Sequence, residues 1–256
     1  LLRAHLLQAE GGGLQLTAGS AEFRLEKVFG LDRSVTLEWY EQGLLSARSI
    51  ARIELNGAGL GTGWLADPAE LMGRPGPPLL ITNAHVIGPD GADRYPGARR
   101  IDEVGINFEI QQFRTRAVKV IAHSPVHQLD CTVVELEQAP PDTGPLALDP
   151  RPLTVQATPQ RLYVIGHPGG RSLEFSLQDN YLIAARDRFV HYRTPTEGGS
   201  SGSPVFGPVG WKVVALHHAG RKDMPRIDGE PGIYEANEGI AIGEIRRFLS
   251  AGSSTP

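Results

Sequence analysis

Residues 198–206 read Gly-Gly-Ser-Ser-Gly-Ser-Pro-Val-Phe, a tight loop that runs into a buried strand and offers one serine side chain to a cleft. Glycine on both sides of the serine pair allows positive φ and leaves room for a substrate to come within hydrogen-bonding range. In that geometry the N–H groups of Gly199 and Ser201 can converge on one point, which is what stabilising an oxyanion requires. Alone, the loop is equally a Gly/Ser hairpin turn. Two further stretches bear on the choice. Residues 79–86, Leu-Leu-Ile-Thr-Asn-Ala-His-Val, set His85 just past the end of an apolar strand. Residues 129–136, Leu-Asp-Cys-Thr-Val-Val-Glu-Leu, set Asp130 at the mouth of a β-branched one. Serine, histidine and aspartate acting together perform nucleophilic acyl transfer.

The chain order His85, Asp130, Ser201, with the serine in Gly-x-Ser-Gly-Ser-Pro, resembles the trypsin/chymotrypsin-like serine proteases from about residue 48 to about residue 242. The subtilisin and α/β-hydrolase groups use the same residue types in other orders. The resemblance implies that Ser201 is the nucleophile and His85 the general base, later the acid that protonates the leaving amine. Asp130 would hold the imidazole in the right tautomer. Asp102 and Asp142 also lie between His85 and Ser201, but neither begins such a strand. Gly199 and Ser201 would supply the oxyanion hole.

Specificity follows from two positions. Trypsin has an aspartate six residues before its serine, where this chain has Pro195, so no Lys or Arg preference is expected. Bacterial glutamyl endopeptidases bind an acidic side chain with a threonine or serine five residues before the nucleophile and a histidine on the following strand. The similar positions here are Thr196 and His217, which implies a preference for Glu or Asp before the cleaved bond. The backbone from His217 and His218 to Gly220 would pair with an extended substrate as an added strand. Equally, His217 and His218 are ordinary strand residues around a pocket for a small or apolar group. Ser200 stands where trypsin-type zymogens need an aspartate, so control is expected from a partner, an upstream domain or loop ordering. The rival class is a protease fold kept as a non-catalytic peptide binder or scaffold.

These groups need a scaffold, and the composition describes one. With 256 residues the chain can bury a sizeable core, and 51 glycines and prolines suit many short strands and tight turns. The fold that the resemblance implies is all-β: two six-stranded antiparallel barrels of chymotrypsin type, with a short N-terminal helical arm and a C-terminal helix. Residues 1–47 read as tail and arm, 48–145 as the first barrel carrying His85 and Asp130, and 146–256 as the second barrel with Ser201 and the closing helix. Residues 1–20 read as a tail with a flexible joint at Gly11–Gly13. Helical spacing of Leu37, Tyr40 and Leu44 predicts a helix over 36–45, packed outside the first barrel. Strands are expected at 51–55, 63–66, 79–82, 104–110, 117–122 and 132–136. A second set follows at 161–165, 175–177, 181–184, 188–192, 205–207 and 212–216, with a last pairing near 239–242. Residues 68–78 and 89–100 read as loops, 140–152 as the connector and 243–250 as the final helix.

A net charge of −4 without basic blocks gives nucleic acid no electrostatic footing, and no apolar run reaches membrane-span length. The partner expected is a protein or peptide substrate. The one cysteine, Cys131, reads as a small buried strand residue, and its isolation suits a bacterial cytoplasmic setting over a secreted one. No cofactor is called for. A metal set would have to draw on His123, His127, His217 and His218, and the last two, adjacent on a strand, point to opposite faces. None is expected. His167, in Gly-His-Pro-Gly-Gly, reads as a loop residue near the cleft.

Overall fold

The computed structural model describes residues 15–17, 20–22, 35–89 and 95–252. Two compact units result, residues 1–40 and 41–256. In the first, β1 (Gln15–Thr17) and β2 (Ser20–Glu22) pair antiparallel where the sequence reads as a tail. The joint expected at 11–13 lies outside the described residues. Helix α1 (Leu37–Ala47) begins under a Thr36 cap, whose hydroxyl accepts the Trp39 N–H at 3.2 Å.

In the second unit two antiparallel sheets each wrap their own core. The first contains β3 (Ile50–Leu55), β4 (Ala58–Ala66), β5 (Leu79–Thr82), β6 (Gly105–Phe108), β7 (Phe113–Thr115), β8 (Ala117–Ser124) and β9 (Cys131–Leu136). Their order is β7-β6-β3-β4-β5-β9-β8. Ile53, Leu65, Leu80, Ile106, Phe108 and Val134 fill its interior. The second contains β10 (Tyr163–Gly166), β11 (Glu174–Ser176), β12 (Leu182–Arg186), β13 (Phe189–Tyr192), β14 (Pro204–Phe206), β15 (Val213–Pro225) and β16 (Ile233–Ala241). These run β11-β10-β14-β15-β16-β13-β12 around Leu162, Val164, Val190, Tyr192, Val205 and Ala215.

Each sheet has seven strands, one more than expected. In the first, the single strand expected at 104–110 ends at Phe108; a turn with Gln112 at φ 50° returns the chain as β7. In the second, the pairing expected near 239–242 is the end of a long strand, β16, which bonds to β15 on one side and β13 on the other. The loop expected at 68–78 opens with a short helix, α2 (Pro68–Met72), capped by Asp67, whose carboxylate takes the Ala69 N–H at 2.8 Å. The closing helix α3 (Ile242–Gly252) buries Ile242, Ile245 and Leu249. The connector touches both sheets: Leu146 N–H donates to Leu65 O and Val213 N–H to Ala147 O, each at 2.9 Å.

The C-terminal half of α1, expected on the first barrel, also makes a contact outside the first sheet. Gly43 rests on the Trp211 indole, so closely that a Cβ there would come within 2.7 Å of the ring. Trp211 is buried beside Tyr163, Phe175 and Phe206, all of the second sheet, with ring centroids 5.2–6.2 Å apart. Gly43, which weakens the helix in isolation, is what allows this approach. Among the described residues no helix is long and apolar enough to cross a membrane. Trp211→Ala is expected to lower the unfolding free energy by about 3–5 kcal/mol. A denaturant midpoint equal to the parent's would contradict that anchoring role.

Candidate functional site

Asp130 is fully buried at the start of β9, in a left-handed conformation (φ 42°) that aspartate tolerates better than most residues. Asn83 holds the backbone there, its Nδ2–H donating to Asp130 O at 2.8 Å. The side chain is met from both sheets. His85 donates its backbone N–H to Oδ1 at 3.0 Å and its Nδ1–H to Oδ2 at 2.6 Å. His218, on β15, donates Nδ1–H to the same Oδ2, also at 2.6 Å. Burial acts to raise the Asp130 carboxyl, but the bonds from His218 and His85 outweigh it and hold the group below the usual carboxylate range. Tyr95 flanks the His85 ring, centroids 6.1 Å apart.

The serine loop docks on the strands that carry these groups, and Thr62 of β4 is the fastener. Its N–H donates to Ser201 O at 2.8 Å and its hydroxyl to Gly199 O at 3.1 Å, while Thr82 Oγ1–H donates to Thr62 O at 2.7 Å. Gly199 and Gly202 take φ values of 93° and 86°, and a Cβ on Gly202 would overlap Thr62 O. Gly61 separates the Val86 side chain from Ser201 O, so the histidine and serine segments face each other across one glycine. The amides of Gly199 and Ser201 donate to no backbone carbonyl among the described residues. Free donors at positive-φ glycine are what a developing oxyanion needs.

Beside Ser201 opens a cavity of about 530 Å³, lined among others by Pro195, Thr196, His217, Gly220 and Asn237. Thr196 Oγ1–H donates to Asn237 Oδ1 at 2.7 Å, and Asn237 Nδ2–H donates to Thr194 O at 2.5 Å. His217 is buried, its Nδ1 2.6 Å from the Tyr192 hydroxyl. Desolvation, with His218 and His85 adding to it, drops His217 from 6.5 to about 3, so the ring is neutral. Burial pushes Tyr192 up, so it keeps its proton. Tyr192 O–H therefore donates to Nδ1, and the remaining ring proton of His217 sits on Nε2. Arg193, Arg221 and Lys222 line the same cavity, as do Asp179, Glu197 and Glu235.

His85 and Asp130 thus meet as the sequence implied, while Ser201, Thr196, His217 and Gly220 share the cavity. His218, grouped in the sequence with substrate binding, is turned instead to Asp130, because adjacent strand residues face opposite ways. The donor atoms of His85, Asp130 and His218 lie within 4.8 Å of one another, a spacing that hydrogen bonding through one carboxylate oxygen accounts for. His123 lies elsewhere, bonded to Thr132 Oγ1. His167 is fully buried, its Nδ1 3.0 Å from Arg171 O, and burial lowers its pKa. Burial and the neighbouring Asp130 charge raise the Cys131 thiol, leaving it unreactive. Asn83, Thr62 and Asn237 also hold the site together, beyond the residues that the sequence motifs single out. Only Asn83, inside the Thr-Asn-Ala-His stretch, had a sequence signal.

Comparison with known proteins places residues 61–216 in the family described as trypsin-like peptidase domain. Over 229 residues the chain is 33% identical to the uncharacterized protein y4fB of Sinorhizobium fredii (strain NBRC 101917 / NGR234), covering 80% of this chain. It spans only 32% of that relative's length. Among solved structures, an inactive mutant form of Rv3671c from M. tuberculosis H37Rv superposes with a TM-score of 0.54 at 19% identity, covering 84% of this chain and 92% of that one. The serine endoprotease from Yersinia pestis gives 0.52 at 12% identity, covering 86% and 69%. At such identities the likeness is one of fold.

Two outcomes are expected. Gly202→Ala, forced against Thr62 O at positive φ, should lower the denaturant midpoint and displace the serine loop in a crystal structure. An unshifted loop at full stability would contradict the packing described. The second concerns pH. Between 6.5 and about 3 the unfolded chain binds a proton at residue 217 that the folded chain refuses. Stability should therefore fall as pH drops through that window, by up to about 1.4 kcal/mol per pH unit. His167 adds in the same direction, and Asp130 only below 3.8. His217→Gln should flatten the dependence between pH 7 and 5. An equally steep dependence in the variant would rule out His217 as its source.

Proposed function

We propose, on the premise that the chain belongs to the trypsin-like peptidase family, that it is a serine endopeptidase acting through an acyl-enzyme on Ser201. The observation that carries this is the buried Asp130 bonded to His85 beside a glycine-bounded serine loop with two free amides. Asp130 fixes the His85 proton on Nδ1, leaving Nε2 as the base. Ser201 Oγ attacks the peptide carbonyl carbon and its proton passes to His85 Nε2. The Gly199 and Ser201 amides take the oxyanion, each worth roughly 10²–10³ in rate. Collapse breaks the C–N bond and His85 returns its proton to the leaving amine. Water then enters by the same route, its proton going to His85 and on to Ser201 as the acyl group leaves.

For specificity we propose an acidic residue before the cleaved bond. Pro195 gives a basic side chain no carboxylate at the position trypsin uses. The neutral His217, held by Tyr192 with its proton on Nε2, supplies a donor suited to a carboxylate, and the Thr196–Asn237 pair frames the pocket with polar groups. The substrate is then a protein or peptide bound along β15 as an added strand. Ser200, which accepts the Glu197 N–H at 3.3 Å, offers no charge to a freed N-terminus, so any control comes from a partner, an upstream domain or loop ordering. The single buried cysteine supports a cytoplasmic setting.

A fluorophosphonate probe should label the parent chain and fail to label Ser201→Ala or His85→Ala. Peptide turnover in either variant should fall by roughly 10⁶-fold. Folded parent protein that takes no label would defeat the reading, as would Ser201→Ala protein that still does. In a peptide library, Glu or Asp should be preferred over Arg and Leu before the cut. His217→Leu should cost roughly tenfold or more in kcat/KM on the acidic peptide. Equal cleavage of Glu and Leu peptides would refute the acidic pocket while leaving the hydrolase intact.

A further inference from the structure

His218 is not used by the mechanism above, yet it is bonded as closely to Asp130 as His85 is, both at 2.6 Å from Oδ2. Its other ring nitrogen, Nε2, faces Glu238 Oε1 at 3.5 Å. The second oxygen of Glu238 meets His191 Nε2 at 2.8 Å, and His191 Nδ1 meets the Tyr234 hydroxyl at 2.7 Å. His191 is fully buried, and this run crosses three neighbouring strands, β15, β16 and β13, with His191 paired to Glu238 and His218 in the bulge between His217 and Ala219. At its far end His191 Nε2–H donates to Glu238, and with a neutral ring the Tyr234 O–H donates to His191 Nδ1. Glu238 is thereby pinned between two imidazoles, and His218 between two carboxylates.

We propose that His218 is a positioning residue for the Ser201 reaction. It braces the triad carboxylate from the second sheet and is itself held by the Glu238–His191–Tyr234 run. This rests on the functional reading above. Losing the brace should cost rate and not binding, because His218 touches Asp130 and lies outside the residues lining the substrate cavity. A pH signature follows from its surroundings. His218 is faced by Asp130 and His85 from the first sheet, the His85 ring centroid 6.3 Å away, and by Glu238 and the adjoining His217 from the second. Among the interactions that hold the Asp130 charge, the hydrogen bond from His218 is the strongest, geometrically matched by that from His85. Without it the carboxylate is protonated at higher pH, and the acidic limb of activity moves upward.

The test is the pH dependence of fluorophosphonate labelling on the whole chain, resolved into the maximal rate kinact and the half-saturating concentration KI. His218→Ala should lower kinact by roughly 10- to 100-fold, the loss expected for one hydrogen bond to a buried charge, with KI within about twofold. Its acidic limb should shift to higher pH. His218→Asn, which retains a donor, should recover part of kinact, and Glu238→Gln should give a smaller fall in the same direction. Should the alanine variant not fold, these two carry the test. Labelling at the parent's rate and pH profile in the variants would overturn the proposal, as would a change confined to KI. A second readout separates failure of this inference from failure of the hydrolase reading: imidazole N–H protons bonded to Asp130 resonate far downfield in proton NMR, whether or not Ser201 reacts. Two such signals are expected, one lost in His85→Ala and the other in His218→Ala. A spectrum unchanged by His218→Ala would sink the brace itself, even in a chain that labels well.

Discussion

A carboxylate with no solvent contact has to be neutralised by the protein or be protonated, because its desolvation costs several kcal/mol. Asp130 is such a group, and its three side-chain hydrogen bonds come from two sheets: two from His85 and one from His218. Neither sheet alone satisfies it. The charge therefore joins the halves of the fold at the place where chemistry is proposed. Its own backbone conformation depends on Asn83, which reaches across from the end of β5 to hold the carbonyl. Bonds of this kind to an ionised acceptor are short and strong, and they fix the ring orientations on which a base depends.

The second constraint is space. Where the sheets meet, backbone lies against backbone: a Cβ on Gly59 would strike Gly170, and one on Gly199 would come within 2.6 Å of His167 O. Thr62 uses every polar atom at this seam. Its hydroxyl accepts the His167 N–H at 3.1 Å while donating to Gly199 O, its amide holds Ser201 O and its carbonyl receives Thr82. The serine loop is thus seated by a buried threonine, and its Gly199 and Ser201 amides donate to no backbone carbonyl among the described residues. His217 and His218 are adjacent on β15 yet face opposite ways, one lining the cavity beside Ser201 and the other bonded to Asp130.

The parts of this site legible in the sequence were those whose chemistry dictates local residue order. Positive φ next to a serine demands glycine, which exposes the loop at 199–202. A histidine after an apolar strand and an aspartate before a β-branched one can likewise be read directly. The two-sheet architecture was implied by the resemblance that those three motifs carry, and the many glycines and prolines agreed with its short strands. What stayed hidden depends on register. Glu238 meets His191 and His218 only because β16 pairs with both β13 and β15, with a bulge between His217 and Ala219. No local pattern encodes a bulge. The strand Phe113–Thr115 is too short to show a period, and the approach of Gly43 to Trp211 joins residues far apart in the chain. The Thr196–Asn237 bond was unreadable for the same reason, since Asn237 lies opposite Gly220 only once β15 and β16 are paired.

The function proposed for the Asp130–His85 pair is to serve a covalent reaction at Ser201. The most direct measurement is to mix the chain with an activated peptide ester, quench in acid within the first turnover and map the protein by mass spectrometry. An acyl group is expected on the peptide that contains Ser201, absent when His85 is replaced by alanine. Ester hydrolysis with no adduct, or an adduct on another residue, would contradict that function.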